Sequence, residues 1–451
     1  MQDPLADKSG SHQSLGRVRR PSLYAVVCDL NGVYRGKRVP PEELEALKLG
    51  KMKLPLATLF LDIWGRDVIG SGQILETGDI DGVLVPISEE APVLRHERAG
   101  SDLMPLWMHQ SDGSPYGADP RHALASVCRR YHDRGWTPVC AMEMEFCFYH
   151  PPREEHTTIP GLFRATSLNA MYSIDELKDI DHILDDIYAI CEKADIPVGA
   201  IVSEGGCGQF EINLDHRPDA LRAADDAQRL KYIVKDVARE HGLGATFMAK
   251  PFGDQSGNGL HTHISVLDET GANIFDNGAA EGTDVLRHAV GGLLSALPSS
   301  MLLFAPHANS YRRLREGTHA PTTVSWGYDN RTASIRIPSS SHKARRIEHR
   351  VAGADANPYL VLAAIMGALI AGVEQKIEPQ APLQGNAYAS GHHALPTTWQ
   401  GAIEAFEASG TMGEIFDPLL KNVYAACKRQ ELDRFADMIP ITEYEAYLGT
   451  V

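Results

Sequence analysis

The stretch TPVCAMEMEFCFYH (137–150) is an apolar run interrupted by two glutamates, and we predict that it forms a β-strand. Glu143 and Glu145 lie two residues apart, so on a strand both side chains point from the same face. Such alternation usually marks a solvent-facing stripe, yet Ala141 and Cys147, on the same face, are not polar. Two adjacent carboxylates in that setting repel each other unless a cation lies between them. An exposed stripe and a metal site both remain open for this pair.

Two neighbouring stretches carry similar groups. VGAIVSE and QFEINLD are predicted strands joined by GGCG, so Glu204 and Glu211 flank a glycine-rich turn. Such a turn can bring two distant carboxylates to one point, although an exposed turn with incidental acids is the alternative. His261 and His263 share one face of the predicted strand LHTHISVLD (260–268), where a structural role and metal ligation both remain open.

An arginine-rich region follows. The predicted strand RRIEHRVAG (345–353) places Arg346, Glu348 and Arg350 on one face, which fits a surface ion-pair ladder or an anion site. Further guanidinium groups lie upstream, at Arg312, Arg313, Arg331 and Arg336. So many arginines in an acidic protein favour a wall that binds carboxylate and phosphate.

The ligand types favour a hard cation. Several glutamates with one histidine suit Mg²⁺ or Mn²⁺ rather than zinc. The seven cysteines are scattered without a CxxC pair, which indicates reduced thiols in a cytoplasmic protein. No GxxxxGK[ST] loop is present in the sequence, so a nucleotide has to be held by other means.

Length and charge limit the remaining possibilities. A chain of 451 residues is expected to form two or three domains. The net charge of −16 argues against nucleic acid as the main partner. Residues 1–20 are polar and are expected to be a flexible tail, neither signal peptide nor membrane anchor. The longest apolar run, 359–373, is short for a membrane span, so we predict a buried helix and no membrane contact.

The N-terminal part is predicted to be a small mixed domain. Residues 22–40 form two strands around Asn31-Gly32, a strong hairpin signal, and residues 41–50 form a short helix. The turn-rich segment SDGSPYGADP (111–120) contains the predicted domain boundary. We therefore expect a tail over 1–20, an N-terminal domain over 21–115 and a second domain over 116–451.

The second part is predicted to be α+β, with a mainly antiparallel sheet and flanking helices. Further strands are expected at ATFMAKPF (245–252) and TASIRIP (332–338). Helices are expected at 120–134, 173–196 and 218–241, in most of the chain from 284 on, and in the tail 412–448.

The chain resembles the glutamine synthetase family over roughly residues 22–450, with its motifs in the same order and spacing. The motifs that carry this resemblance are MEMEF, SEGGCGQFEINL, ATFMAKPFGDQSGNGLHTHIS, NSYRRL, NRTASIRIP and RRIEHRVAGADANPYL. The resemblance implies a β-grasp-like N-terminal domain and a catalytic domain. It also implies a homo-oligomer, a double-ring dodecamer whose subunits share active sites.

The resemblance also implies site roles, with ATP as co-substrate, L-glutamate as substrate and two or three metal ions per site. Glu145, Glu204 and Glu211 would hold the first metal; Glu143, His261 and Glu348 would hold the second. Gly257, Arg313, Arg331 and Arg350 would bind glutamate, and Arg331 and Arg336 would stabilise the transferring phosphoryl group. His263, Ser265, Arg336, Lys343 and Arg346 would contact ATP.

Two departures from the family pattern concern the nitrogen donor. In the ammonia-using members of the family that this chain resembles, a mobile loop carries a glutamate before Ala-Pro. The similar loop in this chain reads EGTHAP, and His319 stands in the place of that glutamate. The ammonium-binding FDGSS segment is replaced by FLDIWGRDVIGSGQ (60–73). The pattern is similar to that of the γ-glutamyl-amine ligases, especially the γ-glutamylputrescine synthetase type. An alkylammonium, with a pKa of about 10.4, has to lose a proton before it attacks, and His319 is a candidate base.

Several alternatives remain open. Asp62 and Trp64 either line the amine pocket or are structural. Three other functions are considered: a true glutamine synthetase that uses ammonia, a glutamate–cysteine ligase, and a non-catalytic structural or regulatory relative. Tyr388, in GNAYAS, is considered for an adenylylation switch, but its context is too poor to predict one.

Overall fold

The structure, a computed structural model, describes residues 22–87, 94–96, 101–152, 160–163 and 171–451. The predicted tail over 1–20 lies outside these ranges. The described residues form two sheets flanked by helices, which confirms the α+β prediction. The division at residue 115 stays a prediction.

The first sheet is built from the N-terminal part of the chain, in the order β2-β1-β6-β4-β3 with β5 beside β6. The hairpin β1–β2 pairs Cys28 with Tyr34, which places Asn31-Gly32 in the turn, as predicted. Gly32 has a φ of +72°, a value that a glycine adopts at no steric cost. The strands are β1 (Ser22–Cys28), β2 (Tyr34–Val39), β3 (Lys53–Pro55), β4 (Asp81–Pro86), β5 (Leu94–His96) and β6 (Ser101–His109).

The second sheet follows the order β13-β14-β15-β12-β7-β10-β9, with β8 and β11 beside β7. Its pairs are antiparallel except β13–β14, which confirms the mainly antiparallel prediction. The strand predicted at 137–150 is its long central member. The strands are β7 (Thr137–His150), β8 (Gly161–Leu162), β9 (Val198–Ser203), β10 (Gln209–Leu214), β11 (Gly244–Thr246), β12 (Leu260–Leu267), β13 (Trp326–Tyr328), β14 (Ile335–Ile337) and β15 (Ile347–His349).

Eleven α-helices lie in the described ranges. They are α1 (Leu44–Lys48), α2 (Pro120–His132), α3 (Ile174–Lys178), α4 (Asp181–Lys193), α5 (Ala220–Glu240), α6 (Asp284–Phe304), α7 (Pro358–Gln375), α8 (Trp399–Ala408), α9 (Gly410–Ile415), α10 (Pro418–Asp437) and α11 (Ile441–Tyr447). The helices α2, α4 and α5 are among those that pack beside the second sheet, whereas α1 packs on β4 of the first. By length and composition α7 is the one helix in the described ranges that passes as a candidate membrane span. Because 83% of that window is buried inside the structure, α7 is a core helix, as predicted.

The structure corrects four predicted elements. The helix predicted at 173–196 is divided into α3 and α4, because the chain turns at Ile180 to bury that side chain. The strand predicted at 245–252 is limited to β11, since the Asn309 side chain takes the backbone hydrogen bonds of Lys250. The strands predicted at 332–338 and 345–353 are each three residues long, β14 and β15.

A buried polar cluster joins the first sheet to α10. Glu431 is fully buried and accepts hydrogen bonds from the backbone N–H of Ile63 at 2.7 Å and the Asn31 amide at 3.1 Å. It also forms an ion pair with Lys428 at 2.9 Å, and the Lys428 ammonium donates to the Asn31 oxygen. Every charge in the cluster is therefore paired, and the cluster fixes the position of the β1–β2 turn against the C-terminal helices.

Candidate active site

Strand register brings the predicted metal ligands onto one face of the second sheet. Glu143 on β7 lies directly opposite His261 on β12, and Glu145 lies opposite Glu211 on β10. On the other side of β12, His263 lies opposite Glu348 on β15. Because opposed side chains on a sheet lie about 5 Å apart, this register builds a row of ligands across four strands.

Two groups of these side chains can each hold an ion. Glu143, His261 and Glu348 have ligand atoms within 4.8 Å of one another, and this is the trio predicted for the second metal. Glu145, Glu211 and His261 form the other group. Glu204, predicted beside Glu145 and Glu211, does not belong to either group. His261 takes part in both groups, so it lies between the two candidate positions.

The electrostatics of this face fit a cation. Burial, and then the charge of Glu145, raise the pKa of Glu204 to about 7. Burial together with Glu143 and Glu145 raises the pKa of Glu211 to about 8. Burial also opposes ionisation of Glu143, but hydrogen bonds from His261 and His263 outweigh it and hold its pKa well below the usual range. Crowded carboxylates and an imidazole are the donor set that a hard divalent ion prefers.

Glu348 is buried beside arginine side chains and does not lie on the surface. It is 1% exposed and pairs with Arg350 and, at 2.7 Å, with Arg336. Burial opposes ionisation of Glu348, but Arg350 and His261 outweigh it and lower its pKa to about 2. The surface ion-pair ladder considered for this strand is therefore wrong. Arg336 also pairs with Asp329 at 2.5 Å, and its Nε is buried without a hydrogen-bond partner in the described ranges.

Gly257 and Arg313 lie side by side next to Glu145. Arg313 is 5% exposed and donates to the Val351 carbonyl at 2.9 Å. A Cβ at Gly257 would lie 2.5 Å from the Ala249 carbonyl oxygen and 2.9 Å from Arg313 Cγ. The chain therefore requires glycine at position 257, where the backbone approaches the arginine closely.

Gln209 is a site residue that the sequence analysis missed. Its side-chain amide donates to Glu145 at 3.3 Å, to the Gly257 carbonyl at 3.0 Å and to Asn258 at 3.1 Å. Gln209 thus links the metal-ligand face to the glycine loop. The signal was an amide two residues before Glu211 on the same strand face, within an apolar strand.

His263, the first of the residues predicted to contact ATP, lies beside the row of predicted metal ligands. His263 contacts Glu143 at 2.8 Å and accepts a hydrogen bond from Arg346 at 3.1 Å. Ser265 follows two residues later on β12, and Lys343 is exposed in the turn before β15. The structure brings His263 and Arg346 together with the ligand row and places Lys343 on the surface.

Arg331 and His319 are both exposed. Arg331 is close enough to Glu204 for its charge to lower the pKa of that carboxyl. His319 has a φ of +58° on the EGTHAP loop, and no contact joins it to the carboxylate row in the described part of the chain. The loop is held at two points: Thr318 donates to the Arg313 carbonyl at 2.9 Å, and the Tyr388 hydroxyl donates to the Ala320 carbonyl at 3.0 Å.

Asp62 and Trp64 have structural contacts within this chain. Asp62 is 1% exposed, and one of its oxygens accepts from the backbone N–H groups of Trp64 and Arg66 at 3.0 and 2.9 Å. The Trp64 ring packs against Phe435 with ring centres 5.0 Å apart. Of the two interpretations considered, these contacts favour the structural one.

The fold and this face together define a class of enzyme: a metal-dependent catalyst whose sheet surface combines carboxylates, histidines and buried arginines. Residues 117–447 match the family model described as glutamine synthetase, catalytic domain. The chain is 35% identical over 425 residues to gamma-glutamylputrescine synthetase PuuA of Escherichia coli (strain K12), covering 93% of this chain and 90% of that protein. It is 35% identical over 326 residues to gamma-glutamylethanolamide synthetase GlnA4 of Streptomyces coelicolor, covering 72% and 70%.

A solved structure described as a GmaS/ADP complex superposes with a TM-score of 0.82 at 27% identity, covering 95% of this chain and 97% of that one. The chain belongs to the glutamine synthetase family. Enzymes of this family are glutamate–ammonia or glutamate–amine ligases that use ATP and divalent metals, and the protein is a ligase of this kind.

Proposed function

We propose that the protein joins an alkylamine, putrescine or another small amine or polyamine, to the γ-carboxylate of L-glutamate. The observation that carries the proposal is His319, which stands on the EGTHAP loop where ammonia-using relatives have glutamate. The loop begins next to Arg313, the residue proposed to hold glutamate, and Thr318 ties it to that residue. An exposed imidazole at this position suits an acceptor larger than ammonia.

The carboxylate groups of the sheet face would hold Mg²⁺ or Mn²⁺, two or three ions per site. Glu143, His261 and Glu348 are proposed for one ion, and Glu145, Glu204 and Glu211 for another. When bound, the ions would neutralise the negative charge of the phosphoryl group during its transfer. The raised pKa values of Glu204 and Glu211 support this assignment, because a cation relieves the repulsion that causes them.

The arginines are proposed to act on the two anionic substrates. Arg313, Arg350 and Gly257 would bind the glutamate, and Arg331 and Arg336 would stabilise the phosphoryl group as it passes to the γ-carboxylate. His263, Ser265, Lys343 and Arg346 would contact ATP. The Nε of Arg336 has no hydrogen-bond partner among the described residues, which leaves a donor for a phosphate oxygen. The product of this step, γ-glutamyl phosphate, has a carbonyl carbon open to attack by a neutral amine.

His319 is proposed to take the proton from the alkylammonium. An imidazole nitrogen that carries no proton can accept it. The left-handed backbone at His319 is a conformation that few side chains adopt, and such outliers are found preferentially at functional positions.

We propose that the protein is a homo-oligomer, a double-ring dodecamer with shared sites, in the cytoplasm. Exposed apolar side chains at the C-terminal end of the chain support self-association. They are Ile439, Ile441, Tyr444, Tyr447 and Leu448.

Phosphate release from ATP, measured with glutamate, Mg²⁺ and a panel of amines, tests the proposed function. We expect turnover with putrescine or another alkylamine far above that with ammonia. Replacement His319→Asn is expected to lower kcat for the amine by about 10²-fold at pH 7, a typical value for loss of a general base. His132→Asn, an exposed histidine at the end of α2, is the matched control and should leave kcat unchanged. Turnover with ammonia alone would instead identify a glutamine synthetase.

A further inference from the structure

A cavity of about 520 Å³ lies where the turn of the β1–β2 hairpin meets α5. None of the predicted metal ligands lines it. Small-molecule sites typically have this size and a mostly apolar wall with a few polar groups. The larger apolar side chains of the wall are Val33, Ile63, Phe247, Met248 and Phe435.

The cavity is lined by three cationic side chains, Lys231, Lys235 and Arg312. Lys231 is 7% exposed, and its ammonium donates to the Ala356 carbonyl at 2.7 Å. Lys235 and Arg312 are exposed at the mouth. Across the described ranges none of the three has a carboxylate within ion-pair distance. A buried ammonium without a counter-ion is unfavourable, and burial accordingly lowers the pKa of Lys231 to about 7.

One carboxylate, Asp355, lines the same cavity. Its Oδ2 accepts a hydrogen bond from the Ser310 hydroxyl at 2.6 Å, whereas its Oδ1 has no hydrogen-bond partner within the described ranges. Its charge acts on Lys231, but the two groups do not form an ion pair there. Phe247 lies between the two lysines, with its ring centre 5.8 Å from the Lys231 ammonium and 5.6 Å from that of Lys235. The described lining therefore carries three cationic side chains and one carboxylate, an excess of positive charge around an aromatic surface.

We propose that this cavity is a second binding site, for a small monocarboxylate with an apolar body, such as an arylalkanoate. The carboxylate supplies the counter-ion that Lys231 lacks, with Lys235 and Arg312 attracting it to the mouth. The apolar body packs against Phe247 and Phe435. This site is separate from the proposed amine ligation and does not depend on it.

The wall of the cavity is connected to the proposed glutamate site. Asn309 lines the cavity, and its side-chain amide bonds both the N–H and the C=O of Lys250, at 2.8 and 2.9 Å. Lys250 opens the loop that leads to Gly257, and its ammonium donates to the Gln255 carbonyl. A ligand that moves Asn309 therefore changes the KM for glutamate rather than kcat.

Calorimetric titration of the full chain with phenylacetate tests the site. Saturating glutamate and a non-hydrolysable ATP analogue are present, so that the carboxylate-binding arginines of the active site are filled. We expect binding of phenylacetate, and binding of the neutral phenylacetamide about tenfold weaker or worse, because it lacks the charge. No binding of phenylacetate, or equal binding of the amide, overturns the proposal.

Two variants locate the binding. Lys231→Met removes the inner ammonium and is expected to weaken binding about tenfold or more, whereas Lys235→Gln, at the exposed mouth, keeps the fold intact and weakens it about threefold. Lys51→Gln, an exposed lysine outside the cavity, is the control and should bind as the wild type does. Unchanged affinity in both cavity variants contradicts the site. If phenylacetate binds, the KM for glutamate is measured with and without it. An unchanged KM overturns the link through Asn309.

Discussion

At the scale of single residues, the main feature is a set of carboxylates whose acidity is shifted by their neighbours. The pKa values of Glu204 and Glu211 are raised to about 7 and about 8 without a metal. An acid whose pKa is higher in the folded state binds more protons there than when unfolded. The metal-free protein therefore loses stability as the pH rises from about 4.5 through 8, and a bound cation restores it.

We predict that Mg²⁺ raises the melting temperature more at pH 8 than at pH 5.5. At the lower pH both glutamates are protonated and compete with the ion, whereas at the higher pH the ion replaces an unfavourable repulsion. Thermal unfolding with Mg²⁺ and with a chelator, at both pH values, measures the difference. The variant Glu211→Gln should show a smaller pH effect; an equal Mg²⁺ effect at both pH values in the wild type contradicts the assignment.

At the scale of elements, the EGTHAP loop depends on a neighbouring segment. The Tyr388 hydroxyl donates to the Ala320 carbonyl, and the segment that carries Tyr388 is itself fixed by a hydrogen bond from the Ala387 N–H to Thr332 at 3.0 Å. This chain of contacts joins the loop to the NRTASIRIP strand region, which carries Arg331 and Arg336. Tyr388 is thus a positioning residue for the loop of His319.

Replacement Tyr388→Phe is expected to lower kcat/KM for the amine about two- to tenfold, the value of one hydrogen bond of ~0.5–1.5 kcal/mol. The melting temperature should hardly change, because the ring remains. Steady-state kinetics with varied amine measures the effect. Tyr188→Phe, which removes a similar bond to the Gly199 carbonyl at 3.0 Å, is the control and should be kinetically silent. Equal losses in the two variants would rule out a specific role in the loop.

At the scale of the whole molecule, the buried cluster of Asn31, Lys428 and Glu431 attaches the first sheet to the C-terminal helices. Asn31 lies 397 positions before Lys428 and 400 before Glu431, and all three side chains are buried. The cluster also borders the cavity proposed as a carboxylate site, since Asn31 and Ile63 line that cavity.

Replacement Glu431→Gln is expected to destabilise the protein by about 3–5 kcal/mol, because Lys428 is left buried without its counter-ion. The matched control is Glu407→Gln, which removes a surface pair with Arg429 and should cost about 1 kcal/mol or less. Urea unfolding measures both. A loss below 1 kcal/mol for Glu431→Gln would mean that the cluster does not fix the N-terminal sheet.

The sequence alone was enough to predict the hairpin at 22–40, the central strand, the helices α2, α5 and α7, and the α+β class. These follow from local rules: Asn-Gly at a tight turn, spacing of two along a strand, and caps at helix ends. The break between α3 and α4 was missed, because burial of Ile180 depends on its surroundings. The site residues could be singled out because their spacing of two defined a face, as for Glu143 with Glu145 and His261 with His263.

Only the tertiary structure decided which of those side chains meet. The pairing of Glu143 with His261 joins residues 118 positions apart, and the pairing of Glu348 with Arg336 buries a charge that local pattern assigned equally well to the surface. Gln209 belongs to the site because its amide donates to three acceptors on other parts of the chain. Glu204 lies outside both groups of candidate ligands. The physical reason is that spacing along one strand fixes a face, whereas strand register and burial are set by the packing of distant parts of the chain.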